Sequence, residues 1–299
     1  MKNHETKLSN QEIIHSLICE NNQAKTLVFL HGNMGSSQHF EPLLKALKDR
    51  YNLHALDLRG FGDSSYHRPI KTIADLSHDV RLYLEAHQLK QVTFITHGTG
   101  MMVAFRLAID YPRRTHKIIA LAPCLISGLP IHQRRFLGLI KSNRYIHKLS
   151  SMQKHVAPME KYKRKNQRWI LKKLVTELFF NLEKPTEEAM NPFIDIIIKQ
   201  RNLADFNFAT SRFNIFFDDN GVVKGSDEAK FLTMPILLIH GKEDQIMPYQ
   251  NTYLNKKYLP ETTKSYILQN AGYFMFYDCT ETTIKHIEDF ISNEKADAT

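Results

Sequence analysis

The segment 96–100, Thr-His-Gly-Thr-Gly, places residue types that could support nucleophilic chemistry in a short turn. The apolar run QVTFI before it favours a strand, and VAFRLAI after it favours a helix. A strand that turns sharply into a helix is the arrangement with which many enzymes present an attacking side chain for acyl transfer. The central residue here is Gly98, which has no side chain, so the attacking group must be sought elsewhere.

A second turn places polar residues directly after an apolar run. The turn 31–35, His-Gly-Asn-Met-Gly, follows TLVFL, and the backbone N–H of Asn33 or Met34 could converge with that of Thr99. Donors at a helix start attract anions and carbonyl oxygens.

The elements that must position these residues alternate between strand and helix. Short, wholly apolar runs such as VFL, IIALA and ILLI predict strands that are covered on both faces. The alternation implies right-handed crossovers and a mainly parallel sheet, so we expect an α/β fold with helices on both faces. The predicted strands are 12–19, 26–30, 53–57, 91–96, 117–122, 235–240 and 264–268, and the predicted helices are 37–48, 72–88, 99–110, 249–258 and 281–293.

A long insertion interrupts this alternation after the strand at 117–122. It has no clear strand pattern and favours helices, for instance over 166–181 and 187–201. We therefore predict a core formed by residues 1–124 and 232–299, and a helical lid formed by residues 125–231 that lies over the sheet.

Five segments, in order along the chain, resemble the α/β-hydrolase superfamily. LVFLHGNMGSS (27–37) is similar to the His-Gly oxyanion loop, and HALDLRGFGDSS (54–65) to the D-x-R-G-x-G-x-S segment. VTFITHGTGMMVAF (92–105) lies where the nucleophile turn belongs, while PILLIHGKEDQIMP (235–248) and NAGYFMFYDCTE (270–281) resemble the segments with the acid and the histidine. The resemblance implies an α/β-hydrolase fold with a helical cap.

The same resemblance implies that the catalytic triad is degenerate. Aligned on Gly100, the family pattern places the nucleophile at Gly98. The histidine position falls on Tyr273, and a phenol with a reference pKa of about 10 is a poor base. Asp244 keeps the acid position but has no imidazole to orient. We predict a protein with little or no catalysis that binds a small anionic or carbonyl-containing molecule, with Tyr273 and Asp244 lining the pocket.

An active hydrolase is the alternative interpretation. Its nucleophile would be Thr99 or Ser36, or a water activated by His97 or Asp244. The ordinary structural roles favour the first interpretation: we expect Thr99 to point into the helix that follows or to cap it, His97 to lie beside the sheet, and His31 to brace its loop.

Other reactive residue types have simple structural explanations. Cys124 follows a predicted strand and is expected to be a small buried residue. Asp57 and Arg59 could form a substrate-binding pair, but an internal ion pair or loop brace is the favoured expectation. The chain has three widely spaced cysteines, which predicts free thiols, and no Cys or His spacing typical of a metal site. No cofactor is predicted.

The segment 134–173 is strongly basic, with 13 Lys and Arg against one acid, Glu160, in a chain of net charge +9. A solvated helix face usually mixes both signs, whereas a field of one sign attracts anionic partners. The segment predicts contact with an anionic membrane surface or an acidic protein. Nucleic acid is an unlikely partner because no nucleic-acid motif accompanies the charge.

Composition is that of an ordinary globular protein, with 42% hydrophobic and 24% charged residues. The N-terminal sequence MKNHETKLSNQEII lacks the apolar stretch of a signal peptide. No apolar run approaches the roughly 18 residues that span a bilayer. We therefore expect a cytoplasmic protein.

Overall fold

The computed structural model describes residues 1–135, 140–180, 182 and 186–293. Its centre is an eight-stranded sheet with the strand order β1-β2-β4-β3-β5-β6-β9-β10. β1 pairs antiparallel with β2, and β2 with β4, while every later pairing is parallel. The strands of this sheet are β1 (Lys2–Lys7), β2 (Ile13–Cys19), β3 (Thr26–Leu30), β4 (Asn52–Leu56), β5 (Val92–His97), β6 (Thr115–Leu121), β9 (Ile236–Gly241) and β10 (Lys264–Leu268).

The central strands form because their residues are apolar on both faces. Every residue of β5 and of β9 is buried, as are the last four residues of β3. A parallel strand covered by helices on both sides needs that composition. The predicted fold class, a mostly parallel sheet covered by helices on both faces, is confirmed.

Ten helices accompany the strands in the described part of the chain. In α2 the Asp75 carboxylate accepts a hydrogen bond at 2.8 Å from the backbone N–H of Thr72, which satisfies a donor at the helix start. The helices are α1 (Glu41–Leu47), α2 (Ile73–Ala86), α3 (Gly100–Asp110), α4 (Leu149–Arg164), α5 (Arg168–Phe179), α6 (Glu187–Lys199), α7 (Leu203–Ser211), α8 (Gln250–Lys256), α9 (Met275–Asp278) and α10 (Thr280–Ser292).

The lid segment, residues 125–231, contains α4 to α7 and also a hairpin. The strands β7 (His132–Arg135) and β8 (Ile140–Tyr145) pair antiparallel, so the prediction of a lid without strands is wrong there. The residues between these strands lie outside the described part of the chain. A small core of Ile146, Met152, Val156 and Leu203 joins the hairpin end to α4 and α7. The division of the chain at residues 124 and 231 stays a prediction.

No helix in the described ranges is long and apolar enough to cross a membrane. The three cysteines are free, and Cys124 is fully buried. The main apolar core lies on both faces of the sheet and continues into α5 and α6, through residues such as Leu171, Val175 and Ile194. The lid segment therefore shares one hydrophobic core with the sheet.

Candidate functional site

The sharp turn between β5 and α3 is present, with Gly98 at its apex. Gly98 has φ +53°, in the left-handed region that only glycine adopts without strain. Its backbone N–H donates to the carbonyl of Leu121 at 2.9 Å, which ties the turn to β6. The backbone geometry that would expose a nucleophile is thus present at a residue with no side chain.

The ring of Tyr273 covers this apex. A Cβ atom added to Gly98 would lie less than 3.0 Å from the Tyr273 hydroxyl, closer than real Cβ atoms come to a neighbour. The side chain is 4% exposed. Burial, reinforced by the negative charge of Asp244, raises the pKa of Tyr273 above its usual value, so the phenol stays protonated. The hydroxyl fills the space that a nucleophilic side chain would need.

His97 packs beside Tyr273 and is neutral. Its Nε2 lies 3.0 Å from the backbone carbonyl oxygen of Tyr273 and donates to it. The ring contacts those of Tyr273 and Phe274, with centroids 4.3 and 5.0 Å away. Burial lowers the pKa of His97 to about 4. The imidazole therefore positions the loop around residue 273 and is a weak base.

Asp244 is engaged by its own loop. One carboxylate oxygen accepts from the backbone N–H groups of Ile246 and Met247 at 2.8 and 2.9 Å. The other lies 3.1 Å from Nε2 of His240, a buried residue at the end of β9. Sequence reasoning missed His240, although its spacing of four residues before Asp244 was visible in PILLIHGKED. Asp244 therefore has an imidazole partner, but one from its own segment.

The backbone donors predicted in the turn 31–35 are already used. The N–H of Asn33 donates to Thr99 Oγ1 at 3.0 Å, and the N–H of Met34 donates to Asn33 Oδ1 at 3.1 Å. The side chain of Thr99 makes no capping bond to α3, so its predicted capping role is wrong. Thr99 instead links the two loops. Its hydroxyl accepts the hydrogen bond that the Asn33 N–H would otherwise donate to an oxyanion.

His31 is fully buried beneath the same turn. Its Nδ1 donates to the carbonyl of Gly32 at 2.8 Å, and its Nε2 accepts from the N–H of Leu58 at 3.0 Å. Both ring nitrogens are thus satisfied by backbone groups. This is the geometry of a loop brace.

The cavity beside Tyr273 is very small. Its volume is about 10 Å³, roughly the space of one water. Of the predicted site residues, Asn33, Met34, His97 and Tyr273 line it, while Thr99, His31 and Asp244 do not. The remaining walls are Gly32, Gly35, His39, Val175, Phe179, Phe193, Ile197 and Phe274. Aromatic rings therefore occupy the place where a substrate would lie.

A much larger groove begins on the other side of His39 and Phe193, which line both spaces. Its volume is about 730 Å³, within the range of small-molecule sites. His39 is 5% exposed, and its Nε2 has no hydrogen-bond partner among the described residues. Burial lowers the pKa of His39 well below its usual value. The other lining residues are Met1, Leu17, Gln38, Glu41, Leu44, Lys45, Lys48, Phe180, Pro192, Ile196 and Tyr277.

The segment around Asp57 is a structural brace. Asp57 lies 3.0 Å from His15 Nδ1 and also accepts from the N–H of Ser37 at 2.7 Å and of Asp63 at 3.0 Å. Arg59 instead bonds Asp79 at 2.6 Å, so the predicted pairing of Asp57 with Arg59 is wrong.

Two groups of potential metal ligands occur in the described ranges, although sequence spacing predicted none. In each, the ligand atoms lie within 4.8 Å of one another. The group His15, Asp57 and Asp63 belongs to the brace just described, where hydrogen bonds explain the geometry. The other group is Glu20, His54 and His87.

The class of this protein follows from its sheet order, from the glycine turn after β5 and from the acid loop after β9. The chain belongs to the α/β-hydrolase family. The family profile, described as alpha/beta hydrolase fold, matches residues 25–279. A relative is the uncharacterized hydrolase YugF of Bacillus subtilis, 26% identical over 273 residues, which are 91% of this chain and 92% of that one. A probable alcohol acetyltransferase of Cyberlindnera jadinii is 22% identical over 89% of this chain and 74% of its own length.

Solved structures show the same fold. The esterase EaEST of Exiguobacterium antarcticum matches with a TM-score of 0.74 at 16% identity, over 98% of this chain and 100% of that one. A hydrolase of Pseudomonas aeruginosa matches with a TM-score of 0.73 at 14% identity, over 97% and 98% of the two chains. Identity at this level shows the fold alone.

Proposed function

We propose that this α/β-hydrolase-fold protein is a pseudo-hydrolase, which binds a small molecule and does not hydrolyse esters. The observation that carries the proposal is the Tyr273 hydroxyl over the apex at Gly98. A nucleophile needs both an attacking atom and a base within hydrogen-bond reach. Gly98 lacks the atom, and the protonated phenol that covers it cannot act as the base.

The other candidate nucleophiles are held in structural contacts. Thr99 Oγ1 accepts from the N–H of Asn33, and Ser36 Oγ accepts from the N–H of Gln38 at 3.2 Å. Both residues are buried. Burial raises the pKa of the Cys124 thiol to about 12, so it is not a thiolate near neutral pH. These contacts argue against an active hydrolase with a displaced nucleophile.

The test of inactivity is direct. A fluorophosphonate probe should leave the natural chain unlabelled, and short-chain p-nitrophenyl esters should turn over at the rate of a buffer blank. The double variant Gly98→Ser with Tyr273→His should gain labelling, because it supplies the nucleophile and removes the phenol together. Labelling of the natural chain that disappears in Thr99→Val or Ser36→Ala would instead establish the active hydrolase.

The ligand site of this proposal is the groove beyond His39. The apolar residues of its lining suit an aliphatic chain, and Gln38, Glu41, Lys45 and Lys48, which also line it, suit a polar head group. The buried Nε2 of His39, a residue that lines the groove, has no hydrogen-bond partner, and a hydroxyl would fit either tautomer of the neutral ring because it can donate or accept. A medium-chain alcohol, with one aliphatic chain and one hydroxyl, is therefore the first probe of the groove.

Calorimetric titration with 1-octanol tests the groove. We expect one site per chain, weakened about fivefold by His39→Phe because one net hydrogen bond of about 1 kcal/mol is lost. Ile196→Trp should abolish binding by filling the groove, whereas Leu254→Trp at an exposed position should not change it. Equal binding to the natural chain and to Ile196→Trp would rule out the groove and leave the inactivity of the triad untouched.

A second candidate function, attachment to an anionic membrane, is supported by Trp169. Its side chain is 70% exposed at the start of α5, which is unusual for so large an apolar group. Four exposed basic residues lie within eight positions of it along the chain, at the end of α4, in the connection that follows and in α5: Lys161, Arg164, Lys165 and Lys173. An exposed tryptophan among basic residues favours the interface of an anionic bilayer over an acidic protein or nucleic acid.

The fluorescence of Trp169 can report membrane attachment directly. Trp169 is the chain's single tryptophan, so a blue shift of its fluorescence on vesicles that contain phosphatidylserine would report insertion directly. The shift should vanish in 0.5 M salt by screening and in the double variant Lys161→Gln with Lys165→Gln. Vesicles of phosphatidylcholine alone are the control. An unchanged spectrum at low salt would reject membrane attachment.

A further inference from the structure

A cluster of imidazoles and a carboxylate lies at the end of the sheet formed by β2 and β4. His54 is the third residue of β4, His87 directly follows α2, and Glu20 directly follows β2. One ligand atom of each lies within 4.8 Å of the other two. None of these residues belongs to the triad positions or to the groove. The cluster therefore needs an explanation of its own.

The protonation of His54 follows from its hydrogen-bond chain. Ser16 Oγ donates to the carbonyl of His4 at 3.5 Å, so the Tyr83 hydroxyl donates to Ser16 Oγ at 3.0 Å. The Tyr83 oxygen is then free to accept from His54 Nδ1, which is 3.0 Å away. With its proton on Nδ1, the ring presents a lone pair at Nε2.

That lone pair faces another acceptor. His54 Nε2 lies 3.3 Å from Glu20 Oε1, in a geometry that makes no hydrogen bond, and the His54 ring is fully buried. Two acceptors that face each other so closely repel unless a cation lies between them.

The distance of 3.3 Å between His54 Nε2 and Glu20 Oε1 is that of two ligands of one metal ion, and the ligand atom of His87 lies within 4.8 Å of both. Two atoms bound at about 2.0–2.1 Å to a tetrahedral zinc ion stand about 3.3–3.4 Å apart. Each histidine also contacts a hydroxyl group. Thr6 Oγ1 lies 2.8 Å from His87 Nε2, and the Tyr83 hydroxyl lies 3.0 Å from His54 Nδ1. Such outer hydrogen bonds orient imidazoles that bind metals.

We propose that His54, His87 and Glu20 bind one divalent transition-metal ion of the zinc type. Imidazole ligands favour zinc, cobalt, nickel or copper over magnesium or calcium. The Glu20 side chain is 59% exposed, so the ion can enter from solvent and keep a water as its fourth ligand. The bound ion would join the ends of β2 and α2 to β4.

Zinc titration of the full chain, made without a histidine tag, tests the site. Competition with a chromogenic chelator at neutral pH should give one tight site per chain. Glu20→Gln and His87→Ala should each weaken it at least tenfold, and neither change is in a fully buried residue, so folding should be retained. Tyr83→Phe should weaken it ten- to hundredfold, because His54 loses the partner that fixes its tautomer.

The matched control is His78→Ala, which removes an exposed imidazole from the same helix, α2, and should leave the affinity unchanged. Cobalt in place of zinc should give the intense visible bands of a four-coordinate ion, lost in Glu20→Gln. Zinc affinity that is the same in Glu20→Gln, His87→Ala and the natural chain would overturn the proposal, as would binding of less than one ion per chain.

Discussion

At the scale of single residues, Gly98 and Tyr273 are fitted to each other. The glycine leaves space above the turn, and the phenol hydroxyl occupies it. A side chain at position 98 would overlap the phenol oxygen, whereas a shorter side chain at position 273 would leave a gap above the glycine. This pairing has a measurable signature in stability, independent of any enzymatic assay.

Gly98→Ser should destabilise the chain by about 2–4 kcal/mol, since it adds strain at a positive φ and overlaps the phenol oxygen. In the Tyr273→Phe background the same change should cost at least about 1 kcal/mol less, because the overlapping oxygen is gone. Urea unfolding of the four chains gives the coupling. Tyr253→Phe, at an exposed tyrosine, is the control background, in which the two effects should simply add. If the effects of Gly98→Ser and Tyr273→Phe on the free energy of unfolding simply add, the steric coupling of the two residues is contradicted.

The sequence alone predicted the positions of these residues but not their contacts. Gly98, Tyr273 and Asp244 could be located because the five segments that resemble the α/β-hydrolase family occur in the family's order. The bond from Asn33 to Thr99 and the partnership of Asp244 with His240 could not, because they depend on side-chain rotamers and on where loops meet. The roles of all these residues in function stay predictions.

At the scale of elements, the turn 31–35 is fastened to the lid segment by side-chain amides. Asn33 Nδ2 donates to Asn207 Oδ1 in α7, and Gln200 Nε2 donates to Asn33 Oδ1, both at 2.9 Å. Gln200 also bonds Asn202 at 2.9 Å. Buried amides that satisfy one another hold two elements in one arrangement. These hydrogen bonds therefore hold the lid segment against the core at the candidate site.

Gln200→Leu should destabilise the chain by about 1–3 kcal/mol, because it removes two hydrogen bonds and leaves the side-chain oxygen of the buried Asn202 without a donor. Hydrogen exchange should increase in residues 31–35 and 200–207 and stay constant in β5. Gln153→Leu, on the exposed face of α4, is the matched control and should alter neither. If hydrogen exchange in residues 31–35 and 200–207 is the same in Gln200→Leu and in the natural chain, the Gln200 amide does not hold the lid segment to the core.

The elements that sequence reasoning missed are the polar ones. β1 has the sequence KNHETK and only one buried residue, so it has no apolar alternation to detect. It forms because it pairs with β2 at the edge of the sheet, a contact between distant segments. The hairpin of β7 and β8 lies within the basic segment and has the same character. Buried strands were predictable because burial on both faces requires a wholly apolar run.

At the scale of the whole molecule, buried neutral histidines make stability depend on pH. Burial lowers the pKa of His31, His39, His54 and His97 below the ordinary value. Each binds a proton in the unfolded chain at a higher pH than in the folded chain, so acid favours unfolding. His15 acts in the opposite sense, because its hydrogen bond to Asp57 raises its pKa.

The metal-free chain should therefore lose stability as the pH falls from about 6.5 to about 4. For His97 alone, a pKa near 4 corresponds to a loss of about 3 kcal/mol across that window. His97→Asn keeps a donor for the Tyr273 carbonyl and should give a shallower dependence. Urea midpoints at several pH values, with the exposed His78→Ala as control, measure it. An equally steep dependence in His97→Asn would contradict the assignment.

The exposure of Trp169 also decides how this protein can be studied. Its indole already meets water in the native state, so its emission should change little when the core melts. Tryptophan fluorescence will consequently report local events around Trp169, such as adsorption to vesicles. Its emission should change little during global unfolding. Circular dichroism is the appropriate signal for the unfolding measurements, and the two optical channels can then be recorded on one sample without confusing attachment with loss of structure.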